Sequence, residues 1–325
     1  MPRSLSIAGH EIHPGESKEI SINIARLPSR TKIETPIYVY RGLEEGPTLA
    51  LTAGMHGDEI NGMEIVRRII DHGYHRVKRG TVLCMPVINV YGFLNYSREV
   101  PDGKDINRSF PGNKHGSLAS RVAYHMTHDV LPAIDYGVDF HTGGAARTNY
   151  PQVRCMMKEA VNVELANAFH APFTLDSPFR PHSLRLTAAK KNKHIIVFEG
   201  GESVRFDQHA IEEGINGTLR LMKYLKMIDE APAPTEKNKI IWSSAWARAQ
   251  TAGLFQSTIQ CGDFVNKSQL VGTLTDPFGE FKEQVVSPSS GYVIGLNNNP
   301  VVNAGDALLH IGVDNYCKID GGGDD

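Results

Sequence analysis

The chain has 325 residues, 41% of them hydrophobic and 22% charged, which is ordinary globular composition and enough material for one large domain or two smaller ones. With 34 basic and 36 acidic residues the formal net charge is -2, so nothing in the balance points to a nucleic acid or a membrane surface as a partner. No apolar run approaches the ~18 residues of a membrane span, and MPRSLSIAGHEIHPGES at the start has no secretory-type apolar stretch.

Residues 18–27, KEISINIARL, alternate apolar and polar and predict a strand, as does PIYVYRG at 36–42. PTLALTAG at 47–54 is a continuous apolar run ending in glycine, the pattern of a strand covered on both faces. NGMEIVRRII at 61–70 then has helical spacing, and TVLCMPVINV at 81–90 reads as another buried strand. RVAYHMTHDVL reads as a helix. YGVDFHTGG at 136–144 and HIIVFEGGES at 194–203 share one form, an apolar run followed by a polar, glycine-rich turn. HAIEEGINGTLRLMKYLKMI at 209–228 carries a helical stripe of Ile211, Ile215, Leu219 and Met222.

DEAPAPTEKNK at 229–239 reads as a linker. Beyond it short β runs and turns dominate, so residues 240–320 are expected to form a small all-β module, with a disordered tail at 321–325. Residues 1–228, strands alternating with helices, are expected to form an α/β domain with an N-terminal β segment and a mixed, largely parallel central sheet flanked by helices. Ligands bind such sheets beyond the carboxyl ends of the strands. His56, Glu59, His141 and Glu199 all follow the apolar run of an expected strand.

The four cysteines, Cys84, Cys155, Cys261 and Cys317, lie far apart without a C-x-x-C pair, which suggests reduced thiols and a cytoplasmic protein. Cys84 sits in an apolar run and reads as core.

A catalytic zinc ion commonly takes two histidines and one glutamate, leaving a position for water or substrate. H-x-x-E occurs three times, at His13/Glu16, His56/Glu59 and His209/Glu212, and only the second follows a buried strand and precedes a helix. H-x-x-H occurs at His72/His75 and at His125/His128, the latter expected on a solvated or partly packed helix face. No H-E-x-x-H is present, which excludes the helical zincin arrangement. A third ligand is then needed. His141 stands at a strand end like the other two, with a hydrogen-bonded histidine at a sheet edge as the alternative.

AGMHGDE, DINRSFPG, DFHTG and VFEGGE, in that order between about residues 35 and 228, resemble the succinylglutamate desuccinylase/aspartoacylase family of the wider zinc carboxypeptidase-like superfamily. The resemblance implies one Zn2+ per subunit, held by His56, Glu59 and His141. It implies Glu199 as general acid/base, Asn107 and Arg108 as a clamp for a substrate carboxylate, and Asp105 as support for His56. Arg98 resembles the arginine that polarises the scissile carbonyl. Glu202 is a competitor for the role of Glu199. Arg185, in SLRLTAAKKNK, is expected to reach the substrate from a loop, with Arg180 as a weaker rival. Gly57 would let the turn pass close to the ion, and the side chain of Asp58 should point elsewhere.

The function implied is hydrolysis of the amide bond of a small N-acylated amino acid or related compound carrying a carboxylate, an ester being an alternative. The rivals are a carboxypeptidase acting on peptides with a free C-terminus and a non-enzymatic binding protein of the same fold. EQVVSPSSGYVIGLNNNPVVNAGDALLHIG resembles a biotinyl/lipoyl-type hammerhead, but its turn, LNNNPV, lacks the Met-Lys pair of a carrier. The module is therefore expected to pack beside the catalytic mouth, narrowing it, or to form a homo-oligomer.

Overall fold

In a computed structural model, which describes residues 5–26 and 29–313, the apolar runs become adjacent strands of one sheet. A short hairpin, β1 (Leu5–Ile7) with β2 (His10–Ile12), stands apart from it. β3 (Ser17–Arg26), β4 (Lys32–Arg41), β5 (Glu44–Ala53), α1 (Ile60–Asp71), β6 (Arg79–Met85), α2 (Val90–Asn95) and α3 (Leu118–His125) follow. Next come β7 (Tyr136–Gly143), β8 (Arg147–Cys155), α4 (Ala160–Phe169), β9 (Phe173–Asp176), α5 (Leu184–Ala189), β10 (His194–Glu202) and α6 (Gln208–Tyr224). After α6 the described chain forms only strands: β11 (Lys239–Ile241), β12 (Ser244–Arg248), β13 (Gly253–Ser257), β14 (Phe264–Val265), β15 (Leu270–Thr275), β16 (Lys282–Val286), β17 (Gly291–Asn297), β18 (Val301–Val302) and β19 (Ala307–Val313).

The centre of the sheet is the parallel run β6-β5-β7-β10. β4 and β3 extend one side antiparallel, and β8 joins β10 antiparallel on the other. The sheet is therefore mixed, and the expected parallel character holds at its centre. Hairpin connections such as β3 to β4 can only make antiparallel neighbours, whereas the parallel centre needs crossover helices. A correction concerns residues 81–90. The strand stops at Met85, because Pro86 has no N–H to donate and Asn89 caps α2, its side chain accepting from Gly92 N at 2.8 Å.

Burial follows the pleat. In β5, Leu49, Leu51 and Ala53 join one apolar cluster, with Val138, Phe140 and Phe198 and with Ile65, Val66 and Ile211 from α1 and α6. Ala50 joins the cluster on the opposite face, with Ile106, Phe110, Val122 and Leu184. Each fully buried Leu or Phe contributes ~1.5–3 kcal/mol to folding. On the face of Ala50, the carboxyl ends of the strands carry polar residues in place of the core.

Five of the C-terminal strands, β11, β12, β14, β17 and β19, are continuous with this sheet. β17 pairs with the first half of β8 (Asn149 opposite Gly295), while β9 pairs with its second half and β11 pairs with β9. β19 and β12 follow β17, and β13, β15, β16 and β18 form a separate four-stranded sheet. The expected tail at 321–325 and Cys317 lie outside the described residues. Among those described, no helix is long and apolar enough to cross a membrane.

Candidate metal centre and catalytic cavity

Strand register brings the dispersed motifs together. Thr52 lies opposite Asp139, and His141 opposite Glu199, at the carboxyl ends of β5, β7 and β10. Glu59 is the residue just before α1, and the turn from Ala53 carries His56 to the same point. His56 Nδ1 is 2.7 Å from Glu59 Oε1, and His141 Nδ1 is 2.8 Å from Glu59 Oε2. One donor atom from each of the three lies within 4.8 Å of the others, and all three residues are buried. They form the one group of this kind among the described residues. His13 and Glu16 share an exposed turn in which His13 N donates to Glu16 Oε2, and His125 pairs with Asp129.

The far nitrogen of each imidazole meets another carboxylate. Asp105 Oδ1 is 3.3 Å from His56 Nε2, and Asp139 Oδ2 is 2.9 Å from His141 Nε2. Thr52 Oγ1 donates to the other oxygen of Asp139 at 2.8 Å. Asp139 is a residue that sequence reasoning missed. The signal was present, because residues two apart on a strand share a face and Asp-Phe-His therefore sets the acid beside the imidazole.

Burial alone would lower the pKa of both histidines. The charges of Glu59 beside His56, and of Asp139 and Glu59 beside His141, outweigh it and raise both, His141 strongly. Burial would likewise raise Glu59, but the two histidines hold it well below the carboxylate range. The region thus gathers three acids around two imidazoles and holds a strong attraction for positive charge.

Gly57 has a further part in this turn. A Cβ on Gly57 would lie 1.8 Å from Gly92 C and 2.1 Å from Phe93 N. The missing side chain lets the start of α2 pack against the turn, and Gly57 N donates to Ser97 O at 2.9 Å. Asp58 departs from expectation. It stands outside the three-residue group, yet it is buried in the wall of the same cavity, with Oδ1 lacking a protein partner.

The cavity has a volume of about 1000 Å³ and is lined by every site residue expected from the sequence except Asp105. Asp105 stands behind His56 and accepts from Arg98 Nη2 at 2.8 Å. Arg98 Nη1 lies 3.2 Å from His56 Nδ1 and 3.5 Å from Glu59 Oε1. Glu199 accepts from Asn149 Nδ2 at 2.7 Å and pairs with Arg154 Nη1 at 3.1 Å. Its rival Glu202 lies outside the cavity lining and faces Arg205 at 3.7 Å. Asn107 Oδ1 accepts from Leu184 N at 2.9 Å, its amide nitrogen has no hydrogen-bond partner among the described residues, and the exposed Arg108 guanidinium donates to the Asn107 carbonyl.

Arg185 is buried in the wall, its guanidinium donating to the carbonyls of Arg154, Ser177 and Pro178 and to Ser177 Oγ. Those acceptors draw its donors toward the protein and away from the open volume. Arg180 is exposed at the rim. Asn149 and Arg154, both on β8, were not anticipated. Nor were Ser244, Trp246 and His310, which bring β12 and β19 to the cavity. Trp246 and His310 are cross-strand partners whose rings stack at 4.0 Å with 2° between planes. Burial, aided by the charge of Arg154, lowers the His310 pKa to about 3. Cys84 is fully buried, and burial pushes its thiol up to about 12, as befits core.

The family model for the succinylglutamate desuccinylase/aspartoacylase catalytic domain matches residues 45–225, more than half of the chain. The chain belongs to the succinylglutamate desuccinylase/aspartoacylase family. A relative in sequence is the N-alpha-acetyl-L-2,4-diaminobutyric acid deacetylase of Halomonas elongata, 28% identical over an alignment of 250 residues that covers 71% of each chain. Among solved structures, a succinylglutamate desuccinylase/aspartoacylase from Rhodobacter sphaeroides superposes with a TM-score of 0.82 at 24% identity, covering 92% of this chain and 95% of that one. The product-bound ectoine utilization protein EutE (DoeB) from Ruegeria pomeroyi gives 0.82 at 20% identity, covering 97% and 100%. At these identities the two structures establish a shared fold for this desuccinylase/aspartoacylase family member.

Proposed function

We propose that this protein is a zinc-dependent deacylase that hydrolyses the amide bond of a small N-acylated amino acid bearing a carboxylate. The observation that carries the reading is the His56, Glu59 and His141 group with Glu199 on the adjoining strand position. The donor set fits zinc: two imidazole nitrogens and a carboxylate are an attested catalytic set. Each imidazole is oriented by a carboxylate on its far nitrogen, as metal-bound histidines are. The surplus of acids over Arg98 leaves a divalent cation well compensated.

Zinc bound by these three residues would polarise the scissile carbonyl and make water acidic enough to attack near neutral pH. Glu199 takes a proton from that water and returns it to the leaving amine. Arg154 and Asn149 hold its carboxylate in place in the cavity wall. Arg98 offers its guanidinium to the oxygen on which negative charge develops. Asn107 and Arg108 hold the substrate carboxylate, for which the planar guanidinium fork is suited. Arg185 shapes the wall behind them through its carbonyl contacts. We read residues 1–228 as the part that carries the chemistry, and 240–320, the hammerhead-like strands, as a wall that limits the cavity to small substrates. The Halomonas relative is named for removal of an acetyl group from a diamino acid, so acetyl is the first acyl group to test. The buried, unpaired Cys84 and Cys155 fit a cytoplasmic setting.

The test is a turnover screen of N-acetyl, N-succinyl and other N-acyl amino acids by the zinc-loaded protein, with Glu199→Ala as control. Zinc-dependent release of free amine that Glu199→Ala abolishes is the expected result. Full activity in the variant sinks the mechanism. Cleavage of peptides with free C-termini, and of no acyl amino acid, replaces the substrate class.

A further inference from the structure

A second cleft, of about 920 Å³, lies beside the catalytic cavity and shares Pro181 with it. Its walls come from residues 110–114, from the end of α3 and the turn after it, and from residues 181–191. Three lysines, Lys114, Lys190 and Lys191, line it, and no Asp or Glu does. Among the described residues, none of the three makes an ion pair or a side-chain hydrogen bond. Lys190 and Lys191 follow α5, where a cation is favoured beside free carbonyls. That accounts for neither Lys114, which sits on another segment, nor the exclusion of every carboxylate from the lining.

The rest of the lining suits a compact organic body. Phe110, Pro111, Pro181 and Leu186 are apolar, and Tyr124 stacks on His128 at 4.0 Å with 24° between planes. Thr127 also lines the cleft. It is buried, and its hydroxyl is without a hydrogen-bond partner, a situation that is uncommon in native interiors. Thr127 and His128 belong to a five-residue π-helical turn, Met126–Val130, a rare element that recurs at functional sites.

We propose that this cleft is a second ligand site, which takes a small organic anion through its phosphoryl or carboxylate groups. Lys114, Lys190 and Lys191 supply the charge. The inference stands independently of the reaction proposed above. Its walls nevertheless continue into the catalytic cavity: Phe110 N donates to His182 O at 3.1 Å, and Leu184 N donates to Asn107 Oδ1.

Inorganic phosphate and citrate are the probes, titrated calorimetrically into the full chain at constant ionic strength. Saturable binding is expected, weakened at least about tenfold in Lys114→Gln/Lys190→Gln/Lys191→Gln, since charge-assisted bonds to three lysines are removed. Lys237→Gln, an exposed lysine elsewhere, and Arg154→Gln in the catalytic cavity should leave it unchanged. Tighter citrate than phosphate identifies a carboxylate ligand, the reverse a phosphoryl one, and either order supports the site. Undiminished affinity in the triple variant, an equal loss in Lys237→Gln, or a loss confined to Arg154→Gln overturns it.

Discussion

Asp139 and His141 stand two residues apart on β7, and the Asp139 carboxylate meets His141 Nε2 at 2.9 Å. The contact fixes which nitrogen of His141 is free to face Glu59. Asp139→Asn keeps the shape but can offer its NH2 group to the imidazole, which favours the wrong tautomer. Zinc affinity, measured by competition with a chromophoric chelator, should fall about 10–100-fold. Unchanged affinity would mean that His141 is held in place by other contacts.

Glu199 contributes chemistry in the proposed reaction and no metal bond. Glu199→Gln should therefore retain a full complement of zinc while kcat drops by about 10²–10⁴, the usual worth of a positioned acid/base. Metal content and turnover are measured on the same preparation. A loss of both together would assign Glu199 to metal binding.

Gly57→Ala inserts a Cβ where the backbone of Gly92 and Phe93 already lies. Either α2 or the His56 turn must move, at a cost of about 1–3 kcal/mol or more. Thermal denaturation should show a lower midpoint, and zinc retention should fall because His56 is the adjoining residue. A variant as stable as the parent would show that α2 yields without strain.

His310 yields a pH prediction. Its pKa in the fold, about 3, is below the ordinary histidine value near 6.5, so between these limits the unfolded chain binds the proton and the folded one does not. Its contribution to stability is complete above about pH 6.5 and is lost as the pH falls toward 3, at up to ~1.4 kcal/mol per pH unit. Denaturant titrations of the parent and of His310→Gln at pH 7 and pH 5 measure it. The parent should lose more stability on acidification than the variant, and equal losses would place the imidazole in contact with solvent.

Much of the centre could be read in the chain before folding. PTLALTAG and NGMEIVRRII correspond to β5 and α1, and the polar ends of β7 and β10 deliver His141 and Glu199 where strand-end reasoning expects them. β8 was hidden by Pro151, which demotes a strand in any local reading. In the fold, Pro151 falls where the partner of β8 changes from β17 to β9, and a missing N–H is tolerated there. With β8 went Asn149 and Arg154, the two residues that hold Glu199. Trp246 and His310 had no local signal at all, because their stacking depends on the pairing of β12 with β19. The packing of Gly57 against the backbone of Gly92 and Phe93 had no local signal, since that backbone comes from more than 30 residues away.

The pairing of Asn149 with Gly295 has a consequence for how the protein is made. On the ribosome, the half of β8 that carries Asn149 must wait roughly 150 residues for its neighbour, a long-range closure of the kind that slows folding. Until then it presents an open strand edge to the cell, and such edges recruit other chains. Nascent chains stalled short of β17 are thus the vulnerable species. Premature termination in the C-terminal strands should appear as aggregated protein, and not as a soluble enzyme with a wider mouth.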